Sequence, residues 1–428
     1  MTAPAIPSAL RPRRPLAARV LPSSLFYGWW ITLGCGLVLL VCVGIGFYVL
    51  PIFLGPLQDE HGWSNLAVSG ATGLYFSVSG LTSATIGPIV DRRGPIGFLA
   101  AGTVLLGLSL AAVGLVSELW QLYLVYVVMA VAFSMASNVG TTSIMTRWWI
   151  HRRAQAMSVA FSFISVGGAV FAPIGTGLIE SGGISRAAPV LGTVVVAVAL
   201  PVTLVVLVWD PAQMGLQPDN GTAPAPRRFH VDLASQYRTW TRAQAARTRP
   251  FWAMMIGFMV VLLCQVGFLA HQVAFLTERF DSAAVGATAI GTAAIGSAVA
   301  RLVVGTFADN VDKRLLTVIL VLAQAASVFA LVLTDNLLAN YALVLVFGFT
   351  MGNIFMMQSL LVGEIFGIPS FGSIFGITAA ASQVAGGVGP VLVGALESWS
   401  GGYTTPFVVT AAMTALASLV LLEARPLS

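Results

Sequence analysis

Charge is what this chain has least of. Of its 428 residues only 16 are acidic and 21 basic, 9% together, against roughly 25% in soluble domains. So few charges cannot cover a water-facing surface, which excludes a soluble globular fold. Cysteine is scarce too: Cys35, Cys42 and Cys264 all lie within apolar runs. They read as small core residues, and no disulfide framework follows from them. Catalytic signatures are missing: there is no nucleotide P-loop, no HExxH and no Cys/His metal set. Enzymatic activity, a cofactor, a metal site and transport driven by ATP are therefore not expected. Nor is there a cleavable signal. The basic start (Arg11, Arg13, Arg14, Arg19) leads into a run from Phe26 to Leu57, too long for a signal's apolar segment, which reads as a first span that stays.

What is abundant is apolar sequence, 57% of residues with a mean hydropathy of +0.90. A helical span needs about 20 apolar residues, and lipid offers the backbone no hydrogen bonds, so helices or a closed barrel remain. The runs are too long and too uniformly apolar for barrel strands of ~10 alternating residues. The expected fold is an all-α membrane protein of twelve transmembrane helices in two six-helix bundles, a 6+6 plan with pseudo-two-fold symmetry. The spans fall at 28–54, 66–90, 96–116, 120–145, 154–179, 187–208, 251–277, 284–308, 315–333, 338–362, 372–396 and 404–422. They divide the chain into an N-terminal tail (1–25), a first bundle (26–208), a Pro-, Gly- and Arg-rich linker (209–250), a second bundle (251–423) and a short C-terminal tail (424–428).

Eighteen of the 21 basic residues fall on one side of this arrangement. Only Arg186 and Arg279 lie opposite, and Arg301 lies inside a span. Basic loops stay in the cytoplasm, so both termini and the linker are expected there, in a multi-pass protein of the cell (inner) membrane. The net charge of +5 is a topology signal, and no nucleic-acid partner follows from it. Trp29, Trp30, Trp63, Trp120, Trp148, Trp149, Trp209, Trp252 and Trp399 sit near run ends, as an interfacial belt requires. The later linker has Phe229, Leu233, Tyr237 and Trp240 at helical spacing beside arginines. That pattern fits either a surface helix on an anionic leaflet or a solvated basic linker.

The two halves repeat. Asp91 and Asp309 are 218 residues apart, as are Ser64 and Ser282. Pro173/Pro390 and Glu180/Glu397 differ by 217. A duplicated six-span unit is the plan of secondary transporters, which bind substrate at the midplane and rock one repeat against the other.

Within that plan Arg301 stands out. It lies about eight residues, roughly 12 Å, inside its span, where an arginine costs at least ~2.5 kcal/mol on insertion scales. All sixteen acids fall in loops or near run ends, so the expected partner is an anionic ligand whose carboxylate the guanidinium fork grips. An arginine that only binds helix carbonyls is the plainer alternative. His271 is the one histidine within a span, and either a proton carrier or a packing residue fits it. Asn138, Asn353, Gln265, Gln383 and Tyr48 are scattered polar groups that either line a cavity or join helices. At a cytoplasmic turn, Gly87, Asp91, Arg92 and Gly94, with Asp309 as the second copy, read as a conformational latch or as an ordinary basic turn.

Gly87-x-x-x-Asp91-Arg92-x-Gly94, the six-plus-six plan and the long central linker resemble the major facilitator superfamily. Tyr27-Gly-Trp-Trp30, Gly55-Pro-Leu-Gln58, Gly62-Trp-Ser64, Arg147-Trp-Trp-Ile-His-Arg-Arg153, Asp210 to Asp219 and the span-eight Arg301 are similar to bacterial relatives of the monocarboxylate and oxalate/formate transporters. That resemblance implies carboxylate binding by Arg301 with proton symport or anion exchange. Two positions depart from it. Ser297 stands one turn before Arg301, where animal monocarboxylate transporters have an acid, and span eleven has no lysine. A single fixed positive charge suits a monoanion. The expected function is a proton-coupled secondary transporter of a small organic monoanion, acting as a monomer in a lipid bilayer. An exporter of amphiphilic compounds and a ligand sensor that moves nothing are the alternatives.

Overall fold

Long apolar runs in lipid satisfy their backbones internally, and helices are what form. The computed structural model describes residues 15–19, 22, 25–221 and 237–425, and all regular structure among them is helical. In chain order the α-helices are α1 (Tyr27–Gly46), α2 (Leu54–His61), α3 (Asn65–Arg93), α4 (Ile96–Val113), α5 (Leu119–Ala136), α6 (Asn138–Trp148), α7 (Arg153–Val205), the single turn α8 (Arg242–Ala245), α9 (Arg249–Phe280), α10 (Ala283–Phe307), α11 (Lys313–Leu333), α12 (Leu337–Phe366), α13 (Phe371–Ser400) and α14 (Thr404–Leu421). Among the described residues eleven helical runs are long and apolar enough to cross a membrane, with α5 and α6 counted as one. One of the eleven, α7, loses helical geometry at Gly182 and Gly183. It supplies two crossings, which makes twelve.

Local chemistry sets the breaks. Gly183 has φ +67°, a conformation cheap only for glycine, and Glu60 Oε1 accepts the N–H of Ile184 where the helix restarts. The turn is therefore two residues, shorter than the sequence suggests. Span one is also shorter than expected. α1 ends at Gly46, and Leu50–Phe53 form a 3-10 turn before α2. Glycines at 44 and 46 and a proline at 51 weaken the helix there. Tyr48 consequently lies in a turn. Span four is broken at Ser137 (φ −113°, ψ −128°).

The helices belong to two compact units. The first holds the described residues up to Thr72 and from Ile89 to 221; the second holds Gly73–Pro88 and 237–425. In the first, α7 packs on α1 and α4. Trp148 and Trp149 are fully buried there, a correction to the interfacial position expected for them. Their indole N–H groups donate to Val208 O at 2.8 Å and Thr32 Oγ1 at 2.9 Å, which removes the reason for an indole to seek the interface. Trp120, Trp252 and Trp399 are exposed, as a belt requires. Asp219 gathers the backbone N–H groups of Ile150, His151 and Arg152. Arg147 pairs with Asp210 at 3.1 Å and lies over the Trp209 ring. The 147–153 and 210–219 stretches are thus one stitched turn.

In the second unit α9 packs on α13, α10 on α12, and α11 on α12 and α14. An aromatic core of Phe268, Phe275, Phe347 and Phe407 joins them. Of the two alternatives for the later linker, the surface helix is not seen at its described end. Phe229 and Leu233 lie outside the described residues. Trp240 is non-helical, its N–H donating to Ser370 Oγ at 2.7 Å and its ring edge-on to Phe366.

The repeat is visible in single hydrogen bonds. Tyr123 Oη donates to Ala67 O, and 218 residues on Tyr341 Oη donates to Val285 O. Glu118 caps α5 and Asn336, at the same offset, caps α12.

Candidate functional site

Arg301 is buried on α10. Its helix reaches α12 through small residues: a Cβ on Gly348 would collide with the backbone of Ala293, and one on Gly352 would lie 2.6 Å from Ser297 O. Glycine at these positions is what lets the two backbones approach. Arg301 Nε donates to Gly352 O at 2.8 Å. Ser297 and Arg301, one turn apart, thus both face α12. The bond anchors the guanidinium at Nε.

Around α12 runs a set of buried polar side chains. Asn353 Nδ2 donates to Phe349 O, and its Oδ1 meets no partner among the described residues. Gln358 Nε2 donates to Ser382 Oγ on α13 at 3.0 Å, leaving Oε1 without a described partner. Gln265 Oε1 and both amide atoms of Gln272, on α9, are likewise buried without one. Buried amide atoms are normally hydrogen-bonded, so each of these has spare capacity for a water or a ligand. Gln272, Gln358 and Ser382 were not singled out from the sequence. Each is a polar residue inside an apolar run, the same signal that singled out Asn353. Gln383 is half-buried on α13, its Cβ close to Gly80.

His271 on α9 is partly buried. Its Nε2 lies 3.0 Å from Pro390 O. A carbonyl only accepts, so Nε2 carries the proton, and in the neutral ring Nδ1 accepts from Tyr403 Oη at 3.5 Å. Tyr403, in the turn before α14, was not expected. Burial first, then the negative charges of Glu278 and Glu397, push its hydroxyl above the usual range.

In the first unit Asn138 opens α6 just after the break at Ser137. Its carbonyl accepts from the Thr141 and Thr142 hydroxyls, and its Oδ1 has no described partner. Tyr48 packs its ring on Gly168. Gly94 closes α3 with its N–H on Val90 O, one turn from the half-buried Asp91 and beside the exposed Arg92. Asp309 lies in the turn after α10. Gly87 belongs to the second unit and crosses α13 at Gly372, where a Cβ would collide with the Gly372 carbonyl. Arg242 Nε donates to Ser373 O at 3.2 Å and the same guanidinium reaches Ala84 O, tying α8 to both helices. Arg301, Asn353, Gln265, Gln383 and His271 therefore share one unit, while Asn138 and Tyr48 lie in the other.

Twelve apolar helices in repeated sixes, with buried polar amides and Arg301 deep in a span, define a multi-pass membrane carrier. The chain belongs to the Major Facilitator Superfamily, whose family model matches residues 36–390. It is 23% identical over 356 residues to the uncharacterized MFS-type transporter YhjX of Escherichia coli strain K12, covering 81% of this chain and 83% of that protein. In fold it is similar to the human organic anion transporter MFSD10 (TETRAN), with TM-score 0.72, 15% identity, and coverage of 94% of this chain and 100% of that one. It is also similar to a variant of the E. coli fucose:proton symporter FucP, with TM-score 0.68, 14% identity, and coverage of 93% and 98%.

Proposed function

We propose that the chain is a proton-coupled secondary transporter of a small organic monoanion, with Arg301 holding the substrate carboxylate. The observation that carries this is a buried guanidinium deep in an apolar helix, fixed at its ε edge by Gly352 O. The amides of Gln265, Asn353 and Gln383, with Asn138 and Tyr48 from the first bundle, complete the substrate contacts. The fold serves both a human organic anion transporter and a bacterial fucose:proton symporter, so the architecture is compatible with anions and with proton coupling. His271 takes up the coupling proton at Nδ1, with Tyr403 as its neighbour toward the loop. Bundles 26–208 and 251–423 rock about the site. The end of α3 with Gly87, Asp91, Arg92 and the closing Gly94, with its second copy at Asp309, latches one end. Both termini are cytoplasmic, the protein sits in the inner membrane, and it works as a monomer.

Uptake of labelled lactate, pyruvate and acetate into proteoliposomes tests this, alongside a thermal-shift screen of the same acids. Wild type should be stabilised by a transported acid and Arg301→Ala should not, with uptake lost at normal expression. Wild-type uptake in Arg301→Ala would remove the assignment. The Gly352 O bond also favours a second reading, in which Arg301 braces α10 against α12 in an exporter of amphiphiles. In that case Arg301→Ala lowers the melting temperature, and no carboxylate shifts it in either protein.

A further inference from the structure

At the start of α9 a recess of about 460 Å³ opens between that helix and the end of α14. Its walls carry Arg247, Arg249, Trp252, Ile256, Val420 and Glu423. We propose that it binds the headgroup of a phospholipid bearing one net negative charge, a site separate from the substrate path.

Its position comes first. Arg249 begins a 32-residue apolar helix, so the recess lies where the chain enters the bilayer. Charge comes second. Arg247 and Arg249 are exposed, and neither makes an ion pair or side-chain hydrogen bond with a described residue. Arg147, Arg279 and Arg314, by contrast, are all paired with carboxylates. Glu423 is also exposed. Two guanidiniums and one carboxylate leave one positive charge, which matches a phosphodiester monoanion.

The third observation is a gradient along the helix. Moving inward from the arginines, the surface passes to Trp252 and then Ile256, which are 46% and 40% exposed. Trp252 Nε1 donates to Ala246 O at 2.8 Å, which fixes the indole beside the guanidiniums. Cationic, then indole, then aliphatic surface is the profile of an amphiphile lying along the helix: phosphate on the arginines, glycerol at the indole, acyl chain along Ile256 and Val420. A free anion uses only the first part. Basic pockets at this level of membrane helices recognise lipid headgroups.

The test uses the full-length protein in detergent, titrated with phosphatidylglycerol, phosphatidylethanolamine or phosphatidylcholine of matched chains and read by native mass spectrometry. It needs no substrate, and it stands or falls independently of the proposed transport activity. The expected result is a preference for phosphatidylglycerol over phosphatidylcholine of roughly thirtyfold, the scale for two basic side chains near a lipid surface. Arg247→Gln with Arg249→Gln should abolish it and Glu423→Gln should increase it, a gain that misfolding cannot produce. An unchanged preference in the double variant would overturn the proposal. So would weaker phosphatidylglycerol binding in Glu423→Gln, a phosphatidylethanolamine preference lost in that variant, or displacement of bound lipid by millimolar inorganic phosphate.

Discussion

The two halves of this carrier share a scaffold and differ in what they bury. Position 83 and position 301 correspond at the 218-residue offset. In the first half Ser83 returns its hydroxyl to its own helix, donating to Ser79 O. In the second, Arg301 reaches out of its helix to Gly352 O. Meanwhile the tyrosine hydrogen bonds at 123 and 341 and the caps at 118 and 336 are kept. The duplicated tyrosine bonds join neighbouring helices and the caps close helix starts, so both copies need them. The charge is present in one copy only.

The strongest test of that contrast is a pair of substitutions. Arg301→Ala should cut uptake by roughly 100-fold or more, the scale of losing a charge-assisted bidentate contact, whereas Ser83→Ala should stay within about twofold. Close backbone packing in the second unit is the next target. Gly348→Ala drives a Cβ into the Ala293 backbone and should cost about 1–3 kcal/mol by overpacking, seen as a lower melting temperature in detergent. Gly177→Ala in α7 has open space and should be neutral or slightly stabilising.

The asymmetry at His271 has a pH signature. His271→Ala should uncouple uptake from an imposed pH gradient. Tyr403→Phe removes the hydroxyl that donates to Nδ1 and should weaken that coupling, read as a smaller uptake response to the imposed gradient. Tyr403 has its own titration raised, so its donor is present below the ordinary tyrosine value of about 10 and lost only as pH rises past the raised one. Tyr403 itself should therefore add no step to the wild-type profile below about pH 10. The smallest effect sharpens the symmetry: Tyr123→Phe and Tyr341→Phe should each cost about 1 kcal/mol, one hydrogen bond, and about equally. Very different losses would show that the two copies no longer carry the same load.

The twelve crossings were legible because length and hydropathy are additive along a run, and the offset of 218 because turns and prolines survive duplication. Breaks were harder to read. Nothing around Ala136-Ser137-Asn138 marks an interruption in a helix-compatible run, and the end of span one depends on how strongly glycines and Pro51 outweigh apolar neighbours. Arg301 was found because a charge in lipid is conspicuous. A helix carbonyl was one of the two alternatives for its partner, but that it is Gly352 O leaves no trace in side-chain chemistry. Tyr403 was missed for a related reason: it lies 132 residues from His271, and only the packing of α9 beside α13 and α14 brings it there. Trp148 and Trp149 were misplaced because a tryptophan near a run end looks the same whether its N–H meets water or Val208 O.

α3 has a mechanical consequence. It is one continuous 29-residue rod that carries Pro88 near its end at Arg93. A proline removes one rung of the hydrogen-bond ladder and crowds the carbonyl a turn before it. Any bending load on the rod is therefore taken up at its last turns, while the stretch from Asn65 onward stays stiff.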